Sequence, residues 1–296
     1  MPTYERKRLT AMIFEPADDF DLYKMANSGQ CFTAREEAPG TWRFITGEHT
    51  VRLTRRGAAV EADCTAAEWE TVWRRYFDLD RNYAAVRRAV RPDDAVLQRC
   101  AAAGEGIRIL RQDPWETTVT FILSQRKNIP AIRCSVEKLK RRFGRPVGEE
   151  MWAFPTPEAL LRASDEALAR CALGYRVPYV RDAADRAVSG ALDFAALERE
   201  DDAGLLEKLE TVRGVGRKVA SCISLFAYGR VDCAPVDVWI RRMQETYYGG
   251  ADPFAAYACH AGIYQQYLFY FAQQEKQAPA GGADVPLRRG KPKMTS

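Results

Sequence analysis

The chain has 296 residues, 47% of them hydrophobic, which suits two domains and supplies enough apolar surface for a core. A formal charge of +4 is too small to mark the whole surface as a polyanion binder, and no apolar run is long enough to span a bilayer. Eight scattered cysteines with no Cys-x-x-Cys spacing, and only two histidines, disfavour a disulfide framework, a zinc site or an iron–sulfur cluster.

The opening MPTYERKRLT has charge but no apolar stretch after it, so the expectation is no secretory leader and a soluble, intracellular protein. Residues 20–62 read as a small antiparallel sheet. Trp42, Phe44 and Thr46 alternate with Arg43 and Ile45, Gly47-Glu48 turns, His49–Thr54 resumes the extended pattern, and Arg56-Gly57 turns before Ala58–Ala62. From about residue 66 the period becomes helical. Asp113-Pro114-Trp115-Glu116 predicts a helix start, with Asp as cap, Pro first and Glu closing a capping box. Trp115, Val119, Ile122 and Leu123 then form an apolar stripe on one face.

Further helical patterns cover 129–142, 157–170, 178–195, 203–212, 216–228, 237–247 and 253–273. Between 126 and 145, Arg126, Lys127, Arg133, Lys138, Lys140, Arg141, Arg142 and Arg145 are opposed only by Glu137. That run reads equally as a solvated helix face or as a surface turned to phosphates. Residues 276–296 are rich in Pro, Gly and Ala, and predict a disordered basic tail.

The informative stretch is LEKLETVRGVGRKVASCISLFAYG, 206–229. One helix carries Leu206, Leu209 and Val212, and Gly214-Val215-Gly216 makes a tight hairpin. A second helix starts near Arg217 and buries Val219, Ile223 and Phe226. Glycines permit the positive φ and close approach such a hairpin needs. The free N–H groups opening the second helix, aided by its dipole, are a seat for a phosphate, and a monovalent cation could share the hairpin carbonyls. Alone, Gly-x-Gly is no more than a helix joint. Here Lys218 follows Gly216 by two residues, and a Pro-Val-Asp helix start ending on Asp237 lies nineteen residues further on. Taken singly, Asp237 reads as an N-cap and Lys218 as a phosphate contact.

Together these residues resemble the helix-hairpin-helix DNA glycosylases, and within them the 8-oxoguanine DNA glycosylase family. The resemblance covers about residues 20–275. It rests on SGQCF (28–32), YFDLD (76–80), GIRILRQDPWE (106–116), FILSQRKNI (121–129), LGYR (173–176), GVGRKVASC (214–222), PVDVW (235–239) and Gln265 with Leu268-Phe269. It implies an α+β fold. An N-terminal antiparallel sheet domain (1–80) would pack on a helix-hairpin-helix body (81–275), with the tail beyond.

The resemblance further implies a monomeric enzyme with no required cofactor that flips oxidised guanine out of duplex DNA. Lys218 matches the nucleophile that attacks the sugar and forms a Schiff base, which permits strand cleavage by β-elimination. Asp237 matches the carboxylate that steadies positive charge on the sugar. Cys222 and Phe269 match the residues that sandwich the base, Gln265 the reader of its Watson–Crick edge, and the Gly29 carbonyl the acceptor of the N7 hydrogen. Guanine has a lone pair at N7, so it would oppose that acceptor at a cost of about 1–3 kcal/mol. The hairpin (Gly214, Val215, Gly216, Arg217), the segment Arg126-Lys127-Asn128, the pair Tyr175-Arg176 and Trp239 match DNA contacts.

Three positions depart from the family pattern. Arg126 stands where an asparagine fills the vacated stack, Ala131 replaces a second arginine that reads the opposite base, and Trp239 replaces a histidine. Looser discrimination of the opposite base is the expectation. Two other readings compete: a monofunctional alkyl-base glycosylase using Asp237 and water, which has no need of Lys218, and a non-catalytic helix-hairpin-helix DNA-binding module, which has no need of Asp237, Cys222 and Gln265 together.

Overall fold

The computed structural model describes residues 11–148 and 150–277; the basic run expected beyond residue 277 lies outside them. Five strands, β1 (Met12–Phe14), β2 (Arg35–Ala38), β3 (Thr41–Thr46), β4 (His49–Arg56) and β5 (Ala59–Ala62), form an antiparallel sheet in the order β1-β5-β4-β3-β2. Trp42 sits opposite Leu53 and Phe44 opposite Val51, as the alternation predicts. Arg43, on the other face, is held by Glu37 and Asp63.

One expectation fails in this region, because residues 22–27 are helical (α1, Leu22–Asn27) rather than extended. The Asp21 carboxylate accepts from Lys24 N at 2.9 Å and caps that turn. A helical segment follows the sheet: α2 (Ala66–Glu68), a π turn (Trp69–Trp73) and α3 (Arg74–Tyr76). Trp69, Trp73, Tyr76 and Phe77 pack with Phe44 and Val51 into a first core.

The second core belongs to the helices: α4 (Tyr83–Arg88), α5 (Ala95–Ala103), α6 (Pro114–Ser124), α7 (Ile129–Phe143), α8 (Pro157–Arg162), α9 (Asp165–Ala169), α10 (Val177–Ser189), α11 (Phe194–Leu197), α12 (Asp202–Glu210), α13 (Arg217–Tyr228), α14 (Val238–Tyr247) and α15 (Ala261–Gln277). A two-stranded ribbon, β6 (Pro146–Gly148) with β7 (Met151–Trp152), interrupts them; the helical periodicity gave no sign of it. Among the described residues no helix is long and apolar enough to cross a membrane.

Helix α6 runs through the middle of the body. Asp113 caps it as expected, accepting from Glu116 N at 2.8 Å, with Pro114 in the first turn. Two details differ. Every residue from Trp115 to Leu123 is buried, not one face only, because α7, α10 and α13 surround the helix. Glu116 does not close a capping box. It turns inward toward Thr33 and Lys140, and burial pushes its carboxyl up to about 7.

One arginine joins the two cores. Arg108 uses all five guanidinium N–H groups, donating to Phe77 O, Asp78 O, Arg81 O, Asp19 O and the Asp18 carboxylate. Beside it, Gln30 Nε2 donates to Arg108 O and Gln30 Oε1 accepts from Leu110 N, while Gln112 Nε2 donates to Gln30 O. The segment 28–30 is thereby fixed at the edge of the helical body.

Candidate active site

The hairpin is built as its sequence requires. Helix α12 ends at Glu210, the chain turns, and α13 begins at Arg217 with Gly216 in the capping position. The two glycines serve different purposes. Gly214 has φ +81°, and a Cβ there would lie 2.4 Å from the Tyr179 ring, so both its conformation and its space exclude a side chain. Gly214→Ala is expected to cost about 2 kcal/mol or more, read as a lower denaturant midpoint at unchanged slope. Gly216 is extended (φ −103°) and faces no protein atom within 4 Å of a built Cβ. Positive φ is therefore not the reason for glycine at 216; what it leaves is open space before the first amides of α13.

Three carbonyls of the hairpin region are already hydrogen-bonded. Leu209 O, Val212 O and Gly214 O already accept from Val212 N, Val215 N and Gln125 Nε2. Each keeps a second lone pair, so a monovalent cation could share these oxygens with the N–H donors.

Lys218 lies in the first turn of α13, half-buried. Its Nζ stands 5.6 Å from the centre of the Phe121 ring. One turn on, Cys222 is buried, and burial pushes its thiol up to about 11 against the opposing pull of the Lys218 amine hydrogen-bonded to it. Asp237 caps α14, accepting from Trp239 N and Ile240 N, each at 2.9 Å. Both bonds fall on Oδ1, so capping makes no demand on Oδ2. Val238, 77% exposed, follows directly, an apolar side chain left in the open beside the carboxylate.

Lys218 and Asp237 line one cavity of about 380 Å³, a size typical of ligand pockets. Gly29, Lys127, Asn128, Trp239 and Phe269 share its wall, together with Gln273. Gly29 has φ +85°, and a Cβ there would lie 2.7 Å from Phe269 Cε1. Its carbonyl receives no hydrogen bond among the described residues, whereas Ser28 O and Gln30 O are taken by Gln266 and Gln112. Cys222 and Gln265 do not reach the cavity wall. Gln265 is buried, with its Oε1 lacking any hydrogen-bond partner among the described residues.

The expected DNA-contact residues divide. Arg126 is exposed at a loop tip with φ +52°, and Tyr175 is 50% exposed. Arg217 is exposed and within 3.4 Å of Glu210. Asn128 caps α7, accepting from Ala131 N at 2.9 Å. Two residues turn inward instead. Arg176 is only 5% exposed and donates to Leu173 O and Gln125 O; its guanidinium covers the Tyr175 ring at 4.3 Å. Lys127 Nζ donates to Ser135 Oγ and Ala172 O, and burial holds its pKa below the usual lysine range.

The basic run is largely spent in the same way. Lys140 is buried beside Glu116, Arg133 holds Ala26 O and Asn27 Oδ1, Arg141 pairs with Glu137, and Arg145 with Glu48. A continuous phosphate-facing strip over 126–145 is not what forms.

Three glutamines escaped the sequence reading. Gln125 Nε2 bonds Gly214 O while its own carbonyl accepts from Arg176, tying the hairpin, the 126 loop and the 175–176 turn together. Gln266 Nε2 donates to Ser28 O at 2.6 Å and binds α15 to the glycine segment. Gln273 follows Phe269 by one helical turn, and that spacing was the available signal.

Residues 12–118 match the N-terminal domain of 8-oxoguanine DNA glycosylase, and residues 119–253 match the helix-hairpin-helix superfamily of base excision DNA repair proteins. The chain is similar to the solved structure of MBOgg1 in complex with a low-affinity DNA ligand, at 34% identity and a TM-score of 0.85, covering 90% of this chain and 96% of that one. It is similar to the 8-oxoguanine glycosylase/lyase of Clostridium acetobutylicum, solved with double-stranded DNA containing cytosine opposite 8-oxoguanine, at 30% identity and a TM-score of 0.82, over 90% of this chain and 98% of that one. A probable N-glycosylase/DNA lyase of Methanothermobacter thermautotrophicus is 27% identical over 88% of this chain and 95% of its own length.

Proposed function

This chain belongs to the 8-oxoguanine DNA glycosylases of the helix-hairpin-helix superfamily, and from that premise we propose that Lys218 and Asp237 carry out its reaction. The protein is a bifunctional DNA glycosylase and lyase acting on 8-oxoguanine in duplex DNA. The observation that carries the residue assignment is the cavity of about 380 Å³ lined by both side chains and by Gly29 and Phe269.

The nucleotide leaves the stack and its base enters the cavity. As the bond between C1′ and the base breaks, the electron pair departs with the base and positive charge develops on the sugar. Asp237 Oδ2 stabilises that charge while Oδ1 stays engaged with the amides of α14. The neutral Lys218 amine forms a bond to C1′. Opening of the sugar ring gives a Schiff base, loss of a 2′ proton expels the 3′ phosphate, and water hydrolyses the adduct to return the amine. We assign the DNA strand contacts to Gly216, which leaves open space in front of α13, and to the exposed side chains of Arg126 and Tyr175.

Release of 8-oxoguanine from a defined duplex, with borohydride added during turnover, tests this reading. Free base together with a trapped protein–DNA adduct is the expected result; base release without an adduct would assign the chemistry to water.

The opposite base meets a reduced reading surface. Ala131 offers no hydrogen bond, and Arg176 is committed to two backbone carbonyls. Excision rates with the lesion opposite C, T, G and A are expected to lie within about tenfold of one another, because each missing bidentate contact removes ~1–3 kcal/mol of discrimination. A preference for cytosine of a thousandfold or more would contradict it.

A further inference from the structure

Oxidation at C8 changes what guanine offers along its five-membered ring. The unmodified ring presents a lone pair at N7 beside C8–H. The oxidised ring presents N7–H beside C8=O, a donor next to an acceptor, like the edge of a cis amide. Its complement is an acceptor next to a donor. Gly29 and Gln273, both on the cavity wall, supply the groups for such a pair. The Gly29 carbonyl is an acceptor with no hydrogen bond among the described residues. Next to it is the Gln273 amide, whose Nε2 lies 3.5 Å from the position of a Gly29 Cβ. That nitrogen is buried and has no hydrogen-bond partner among the described residues.

A buried amide nitrogen without an acceptor is costly, so an acceptor brought into the cavity gains by meeting it. Gln273 lines the cavity with Lys218, Asp237 and Phe269. Helix geometry puts Gln265, Phe269 and Gln273 on one face of α15, one turn apart each. Gln265 and Gln273 thus stand one turn before and one turn after Phe269, each with one amide atom that has no hydrogen-bond partner among the described residues.

We propose that Gln273 is a specificity-determining residue, donating from Nε2 to the C8 oxygen of the oxidised base while Gly29 accepts from N7–H. The inference rests on the glycosylase assignment and deepens it. Rejection of guanine by Gly29 alone is passive, since a lone pair faces a lone pair. A donor from Gln273 adds a positive contact made only with the oxidised atom, so guanine loses at two adjacent positions.

The test compares the wild type with Gln273→Leu, which keeps the bulk and removes the amide. Wild-type release of 8-oxoguanine establishes the glycosylase itself; if it is absent, the glycosylase assignment fails first. Given that activity, Gln273→Leu is expected to slow single-turnover excision about tenfold. Strand cleavage at a preformed abasic site, which presents no base to read, should remain at the wild-type rate. Replacing the C8 oxygen by sulfur, a poorer acceptor that keeps N7–H, should slow the wild type several-fold and add nothing to the defect of Gln273→Leu.

Excision by Gln273→Leu at the wild-type rate would overturn the proposal. So would equal losses in excision and abasic-site cleavage, which mark a structural role. An equal sulfur penalty in both proteins would also overturn it, by placing the contact elsewhere on the base.

Discussion

Lys218→Gln is expected to abolish the borohydride-trapped adduct and to slow base release by about a thousandfold or more, ~4 kcal/mol of transition-state stabilisation. The fold should tolerate the change. Glutamine and lysine have similar helix propensities, and the side chain is only half-buried, so stability should stay within about 0.5 kcal/mol. Cys222 cannot take over as nucleophile. Burial holds its thiol at about 11, and Lys218 is the neighbour that pulls it down, so the substitution leaves it more firmly protonated. Single-turnover base release and the trapping assay, run on the same preparation, measure both effects. An adduct that persists in Lys218→Gln would show that another amine forms the Schiff base.

Asp237 carries two functions on two oxygens, and substitution separates them. Asparagine caps helices as well as aspartate does, so Asp237→Asn should retain the bonds to Trp239 N and Ile240 N and nearly full stability. It carries no charge, and excision should fall about 10²–10³-fold. Asp237→Ala should show a similar catalytic loss with a further ~1 kcal/mol of destabilisation from the missing cap. Chemical denaturation beside single-turnover excision distinguishes the two effects. Wild-type excision by Asp237→Asn would reduce this carboxylate to a cap.

The parts of the site legible in the sequence are those written in local geometry. Gly214 is excluded from having a side chain by its own φ and by Tyr179, Pro235 and Asp237 announce a helix start, and the spacing from Gly216 to Lys218 sets an amine in the first turn of α13. The same holds for Asp113 and Pro114 at the head of α6. What could not be read was settled by partners distant along the chain. Arg176 looks like an exposed arginine in a turn, yet its acceptor is the carbonyl of Gln125, 51 residues earlier. Lys140 belongs by pattern to a solvated basic face, yet it is buried against Glu116 on the neighbouring helix. Residues 22–27 precede strands β2 to β5 and read with them in the sequence, yet Leu22, Lys24, Met25 and Ala26 favour helix and the Asp21 cap opens one there. Gln273 carried no motif beyond its one-turn spacing from Phe269; the burial of its Nε2 near Gly29, without a partner among the described residues, singles it out.

The bond from Gln266 to Ser28 spans 238 residues and fastens the last described helix to one of the first segments of the chain. During synthesis, the hairpin and both reactive side chains leave the ribosome well before α15 does. Until α15 follows, the cavity lacks the wall supplied by Phe269 and the strap that seats Gly29. Chain order thus leaves the pocket open on one side until α15 has been made.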